Sequence, residues 1–223
     1  MNQAIFSSAY LGSVGYYSAL ACFDQIWIEQ YDSYHKQTYR NRCSILGANG
    51  PLDLIVPVVK KSGCKTLMKD IEIDYSTKWQ LLHWRSLFSA YNSSPFFQYY
   101  SDYFSPFYQK KHDYLIDFNN ELMEIVLELL QMPKKFILTS QFEKGYETAV
   151  DLRNIFTPKK ILKREDDFLF NFQSYSQTFA EKFDFIPDLS IVDLLFNCGP
   201  DSESILIKNI KHLTSPNSPD IHS

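Results

Sequence analysis

The chain is 223 residues long, enough for one large domain whose core needs neither disulfides nor a metal. It has 22 Lys and Arg against 26 Asp and Glu, a formal net charge of -4 and a pI near 5.7, so no global positive field draws it to nucleic acid or anionic lipid, and any anion site must be local. The opening Met1-Asn2-Gln3-Ala4-Ile5-Phe6 lacks the basic region and apolar stretch of a secretory signal, and nothing later approaches the roughly 18 apolar residues of a spanning helix; a cytoplasmic protein with no membrane span is expected.

In chain order, Ala4–Ser8 is a short strand candidate, followed by a turn at Gly12 and a helix-like run from about Gly15 to Phe23. Gln25–Gln30, with Ile26 and Ile28 at period two, reads as a second strand parallel to the first, which opens an α/β unit. Two β-compatible stretches between Tyr39 and Val59 flank Gly47-Ala48-Asn49-Gly50, and Asn-Gly tolerates the positive φ of a tight hairpin turn. Pro57 puts Leu52–Val59 at an edge or strand end, and Asp70–Asp74 is a further short strand.

Thr77 and Gln80 have capping-box spacing and start a helix whose apolar face includes Trp79, Leu82, Leu87 and Ala90, ending before Asn92-Ser93-Ser94-Pro95. An aromatic helical stretch follows, then a longer helix with Leu115, Phe118, Leu122, Ile125 and Leu129 on one stripe, stopped by Pro133. Phe136–Thr139 and Phe168–Phe172 are strand candidates, and the region between them has no readable period. A two-turn helix from Leu189 to Asn197 ends at Gly199-Pro200, and Ile205, Leu206, Ile210 and Leu213 mark a last helix. The expected architecture is a single α/β domain over residues 1–213, with a mostly parallel or mixed central sheet, a β-hairpin and covering helices; residues 214–223, without apolar content, form a mobile tail.

Cys22, Cys43, Cys64 and Cys198 show no CxxC pairing, so reduced thiols are expected, and no histidine pair has metal-ligand spacing. Aromatics make up 16 % of the chain and concentrate between Phe88 and Tyr108, as either an aromatic core or a surface on which sugars stack. Lys36, Arg40 and Arg42, among Tyr34 and Tyr39, are the strongest local concentration of positive charge. With Tyr39–Ile45 extended, Arg40 and Arg42 share a face and could grip a phosphate, diphosphate or carboxylate, with Asn41 on the other face; the alternative is a solvated strand face paired to acidic neighbours. His83 lies four residues after Trp79 on the apolar side of its helix, as a general base or as a satisfied core histidine. Ser190 and Asp193 have the Ser-x-x-Asp spacing of a capping box, and Asp193 could instead serve as a base or orient His83. Cys198 has no identifiable base to activate it.

The segments Lys36-Gln37-Thr38-Tyr39-Arg40-Asn41-Arg42, Ala48-Asn49-Gly50-Pro51, Trp79 with His83, and Leu189 through Pro200 together resemble the WbqC-like family over most of the chain. The resemblance implies a bacterial protein of polysaccharide or modified-sugar assembly: a transferase acting on a nucleotide- or lipid-linked sugar, or a non-catalytic binding or scaffold protein of the same pathway. It implies a site of His83 and Asp193 as proton carriers, with Lys36, Tyr39, Arg40, Asn41, Arg42, Trp79, Ser190 and Asn197 around a small anionic substrate such as a nucleotide sugar. No cofactor is implied, and the oligomeric state is left open. Two departures stand out: Gly12 or Ser13 stands where many members carry a proline in the opening turn, and Leu152-Arg153-Asn154-Ile155-Phe156-Thr157-Pro158 stands where they have a Gly/Ser-rich stretch. The opening strand-turn-helix is also similar to nucleotidyl-transferring enzymes whose first turn presents an HxGH pair, but no histidine precedes His35 and no Gly-rich phosphate loop occurs.

Overall fold

The computed structural model describes residues 2–59, 65–132, 134–158 and 170–210. The chain opens with β1 (Gln3–Ser7), α1 (Val14–Ala21) and β2 (Gln25–Glu29), and the helix carries the chain back so that β2 lies parallel to β1, Gln3 beside Gln25 and Ser7 beside Glu29. Ser13 caps α1 by accepting the N–H of Tyr16. Every residue of α1 from Val14 to Leu20 is buried, because α1 packs between the sheet and two helices of the C-terminal segment; a helix apolar all round has to be enclosed.

β3 (Arg42–Gly47) and β4 (Gly50–Ile55) form the expected hairpin as a separate two-stranded sheet, closed by Ala48 and Asn49, with the positive φ taken by Gly50. The expected strand at 70–74 is instead a turn of 3-10 helix at Met68–Asp70 followed by two isolated bridges, Val58 to Ile73 and Glu72 to Tyr114. Each bridge pairs with a different segment, so no ladder propagates.

Helices α2 (Trp79–Tyr91), α3 (Phe97–Phe104) and α4 (Leu115–Leu129) follow. The face of α2 that enters the core is Trp79, His83, Leu87, Ala90 and Tyr91, whereas Leu82 is 59 % exposed, since it lies three residues beyond Trp79 on the far flank of the stripe. The Thr77–Gln80 capping box does not form: the Gln80 amide reaches across to the carbonyls of Phe107 and Lys110, at 3.1 and 2.6 Å. The aromatic cluster is divided between Tyr91, Phe97, Phe104 and Tyr108 inside and Phe88, Tyr99 and Tyr103 outside.

β5 (Phe136–Leu138) and β6 (Ala149–Asp151) complete the main sheet in the order β5-β2-β1-β6, all parallel. α5 (Ile191–Cys198) ends at Gly199, and α6 (Ser202–Lys208) ends at Asn209. Gly199 has φ +54 and lies against the ring of Phe96, where a side chain would clash. Of the strand expected at 168–172, residues 168 and 169 lie outside the described residues, and Phe170 forms an isolated bridge with Ile210. Pro133, Cys64, Leu213 and the tail also lie outside them. Among the described residues no helix is long and apolar enough to cross a membrane.

Candidate functional site

β1 is flanked by β2 on one side and by β6 on the other, so the chain turns in opposite directions from neighbouring strands. In an open parallel sheet that arrangement leaves a crevice beyond the carboxyl ends, the usual ligand position. Here the crevice lies between Ser7, Ser8 and Ala9 at the end of β1, Thr38, Tyr39 and Arg40 before the hairpin, and Leu152, Arg153 and Phe156 after β6, with Tyr16 of α1 as a wall. It is narrow, about 10 Å³, the size of one water site.

Two buried arginines line it, and their donors are committed very differently. Arg153 Nε and Nη2 form a fork on Asp151 at 2.9 and 2.5 Å, Nη1 donates to Glu29 and to the Glu143 carbonyl, and Nη2 also reaches the Lys144 carbonyl. All five N–H groups are therefore used, and Arg153 ties the edge of the sheet together. Glu29, fully buried, receives the Tyr31 N–H and the Thr139 hydroxyl besides Arg153.

Arg40 Nη2 donates to Asp32 at 2.6 Å and to the Ser7 hydroxyl at 2.9 Å, while its Nε and Nη1 take no partner among the described residues. Burial lowers its pKa and Asp32 opposes that shift; a guanidinium stays charged throughout. Ser7 is itself fixed, donating to the Arg153 carbonyl at 2.7 Å. Asn119 of α4 holds the backbone from behind, its amide donating to the Arg40 carbonyl and the Ser8 hydroxyl.

Arg42 starts β3, whereas Arg40 lies in the turn before it, so strand alternation does not relate the two. Arg42 pairs with Asp53 at 3.1 Å on the partly exposed side of the hairpin. Both guanidiniums lower the pKa of Tyr34 against the larger effect of its burial, so that ring lies within the field of both. Lys36 is exposed, Tyr39 lines the crevice, and Asn41 donates to the Val56 carbonyl at 2.8 Å.

The N-terminus of α1 is a natural anion position, but the chain's own carboxylate fills it. Asp188, in a left-handed conformation with φ +57, accepts the Gly15 N–H at 2.6 Å, and the Ser13 hydroxyl nearby lowers its pKa. Its Oδ2 is buried with no partner among the described residues, and burial pushes its pKa up to about 7. Positive charge for a ligand in the crevice therefore falls to Arg40.

His83 is packed between Trp79, Tyr10 and Tyr108. Its Nδ1 meets the Tyr10 hydroxyl at 3.0 Å, Tyr10 meets Tyr108 at 2.9 Å, and the Ile55 carbonyl near the ring favours its protonated form. Burial lowers its pKa to about 4, so it is neutral at pH 7. Asp193, fully buried in α5, accepts Tyr91 at 2.8 Å on one oxygen, and Tyr175 and Gln177 at 2.7 and 3.0 Å on the other. Its pKa is raised by burial and lowered by those three donors. Ser190 does not cap α5 by its side chain but donates to the Leu11 carbonyl at 2.7 Å, joining the helix entry to the turn after β1. Asn197 bonds the Asp193 carbonyl and Thr178. Burial pushes the Cys198 thiol up to about 12, with the Asp193 and Asp201 charges adding to the shift. His83, Asp193 and Arg40 share no hydrogen-bond partner among the described residues.

Asp32, Asn119, Arg153 and Asp188 are site residues that spacing did not single out. Asn119 had one visible signal, a polar residue next to Phe118 in an apolar stripe, Arg153 lay inside the Leu152–Pro158 segment, and Asp188 immediately precedes the segment that begins at Leu189.

An open parallel sheet with a buried, partly uncommitted arginine at its switch point defines an α/β protein with a ligand-type crevice. The chain belongs to the WbqC-like protein family, whose family model matches residues 8–205. It is also 25 % identical over 226 aligned residues to the uncharacterized protein Rv1507c of Mycobacterium tuberculosis, covering 91 % of this chain and 96 % of that one. No solved structure gives a significant match.

Proposed function

We propose that the chain binds the phosphate-linked end of an activated sugar, nucleotide- or lipid-linked, in the crevice beyond β1 and β6, and acts as a transferase in polysaccharide or modified-sugar biosynthesis. The observation that supports this is Arg40: a buried guanidinium at the switch point, with Nε and Nη1 uncommitted among the described residues. A buried charge with spare donors suits a polar, anionic ligand, because its full hydrogen-bonding capacity is not met by its neighbours. In this reading His83 and Asp193 are the proton carriers, His83 as a neutral base bonded to the Tyr10 hydroxyl.

The second reading, a non-catalytic binding or scaffold protein of the same pathway, is supported by the engagement of both proton carriers: each oxygen of Asp193 and His83 Nδ1 already has a partner. Calorimetric titration with nucleotide diphosphate sugars and with the matching free sugars tests the shared part. Binding of the former alone, lost in Arg40→Met, is the expected result; equal binding of free sugars removes both readings. With a bound ligand in hand, His83→Ala separates the two, abolishing turnover under the transferase reading and lowering only Tm under the other.

A further inference from the structure

We propose that Asp32 is an internal competitor that occupies Arg40 until a phosphate group displaces it, so the crevice selects ligands able to outbid a carboxylate. The proposal rests on the anion-binding reading above and adds its selectivity.

A guanidinium offers an oxyanion two flat forks, Nη1 with Nη2 and Nε with Nη2, and both include Nη2. In Arg40 both Nη2 hydrogens are taken, one by Asp32 Oδ2 at 2.6 Å and one by Ser7 Oγ at 2.9 Å. The spare Nε and Nη1 therefore cannot act as a fork, and a ligand meets Arg40 through single bonds unless one partner lets go. Ser7 is the fixed one: its hydroxyl also donates to the Arg153 carbonyl, and Ser7 ends a central strand. Asp32 is the free one, with its side chain 17 % exposed against 3 % for Arg40. Its backbone is anchored independently of the carboxylate: its carbonyl accepts the Met68 N–H, and Ser33 bridges Leu67. The carboxylate can swing away without unfolding the loop.

The crevice beside Arg40 holds about 10 Å³, too little for a phosphate as it stands, and Asp32 does not line it; release of Asp32 frees the Nη2 fork, while the space has to be opened by the ligand itself. The local charge points the same way. Arg40 and Arg153 face Asp32, Glu29 and Asp151, two positive groups against three negative, so the free cluster does not attract anions by its net charge. Removing Asp32 from the account leaves Arg153 with Glu29 and Asp151, and Arg40 with the ligand. A monocarboxylate merely replaces like with like, whereas a phosphate dianion or a diphosphate has charge and oxygens to spare for the fork.

The test is isothermal titration of the full chain with inorganic phosphate, pyrophosphate and acetate, using Asp32→Asn, Arg40→Lys and the unaltered protein, with circular dichroism to confirm folding. Asp32→Asn is expected to bind phosphate and pyrophosphate at least tenfold more tightly, and to gain acetate binding that the unaltered protein lacks. Arg40→Lys, which keeps the charge but not the fork, is expected to lose pyrophosphate binding. If Asp32→Asn binds pyrophosphate equally or less well while Arg40→Lys still loses it, Asp32 positions the arginine and the competitor role is wrong, though the site stands. Arg40→Lys binding as tightly as the unaltered protein, or no binding of phosphate or pyrophosphate by any variant, overturns the site together with the proposal.

Discussion

Asp188 shows how much one residue can decide at this site. The backbone after β1 offers the first turn of α1, and Asp188 closes it with a carboxylate that has one oxygen well bonded and the other bare. Its pKa of about 7 in the folded protein compares with about 3.9 in an unfolded chain. Because the folded value is raised, its stability contribution is full below about pH 4 and is lost as pH rises through 7, where the folded chain must hold a charge it disfavours. Asp188→Asn keeps an acceptor for Gly15 and a residue tolerant of positive φ while removing the charge. It should therefore gain stability relative to the unaltered protein between pH 5 and pH 8, on the order of a few kcal/mol. Urea unfolding at the two pH values measures this; a difference that does not change with pH would show that Asp188 does not titrate in that range. The adjoining Gly15 has no such latitude, since a Cβ there would lie 2.8 Å from the Asp188 carboxylate.

Among the elements, α4 does more than cover the sheet. Asn119 sends one amide nitrogen to both Ser8 and the Arg40 carbonyl, so a helix holds the end of β1 and the lead-in to the hairpin at the spacing the crevice needs. Asn119→Ala leaves both acceptors without that donor in a buried place, a loss of about 1–3 kcal/mol. The Tyr10 N–H, bonded to the Tyr39 carbonyl at 2.9 Å, should then exchange with solvent faster. Unchanged Tyr10 exchange together with unchanged stability would mean that Asn119 is not the tie. The parts of this arrangement differ in how far the sequence exposed them. β1, β2 and the hairpin were readable because period-two apolar residues and a Gly-Ala-Asn-Gly turn are local signals. β6 was not, because three residues without flanking pattern become a strand only by pairing with β1. The missed side chains share that cause: Arg153 finds Glu29 from 124 residues away, and Asp188 finds Gly15 across 173. Conversely, the two capping-box spacings were local and still failed, since Gln80 and Asp193 had stronger partners across the fold.

At the scale of the whole molecule, the carboxyl edge of the sheet is held by charge where a core would normally use apolar contact. Arg153 joins β6 to β2 through Glu29 and fixes β1 through its own carbonyl to Ser7, passing over the crevice that Arg40 lines. Glu29 and Arg153 have side chains 0 % and 5 % exposed, so neither can turn to water if the other is lost. Breaking such a pair from one side costs about 3–5 kcal/mol, mostly the penalty of the charge left behind, whereas removing both charges together costs far less. Arg153→Met should therefore destabilise the chain strongly, and Glu29→Gln in the same background should recover part of the loss although it is destabilising by itself. Asp151, 36 % exposed, can be hydrated after Arg153 is removed and should contribute little to the penalty; Asp151→Asn in the Arg153→Met background should recover almost nothing. Chemical denaturation of the single and double variants gives the coupling energy directly. Additive losses for Glu29 and Arg153 would show that the edge is held by packing and that the ion pair is incidental to it.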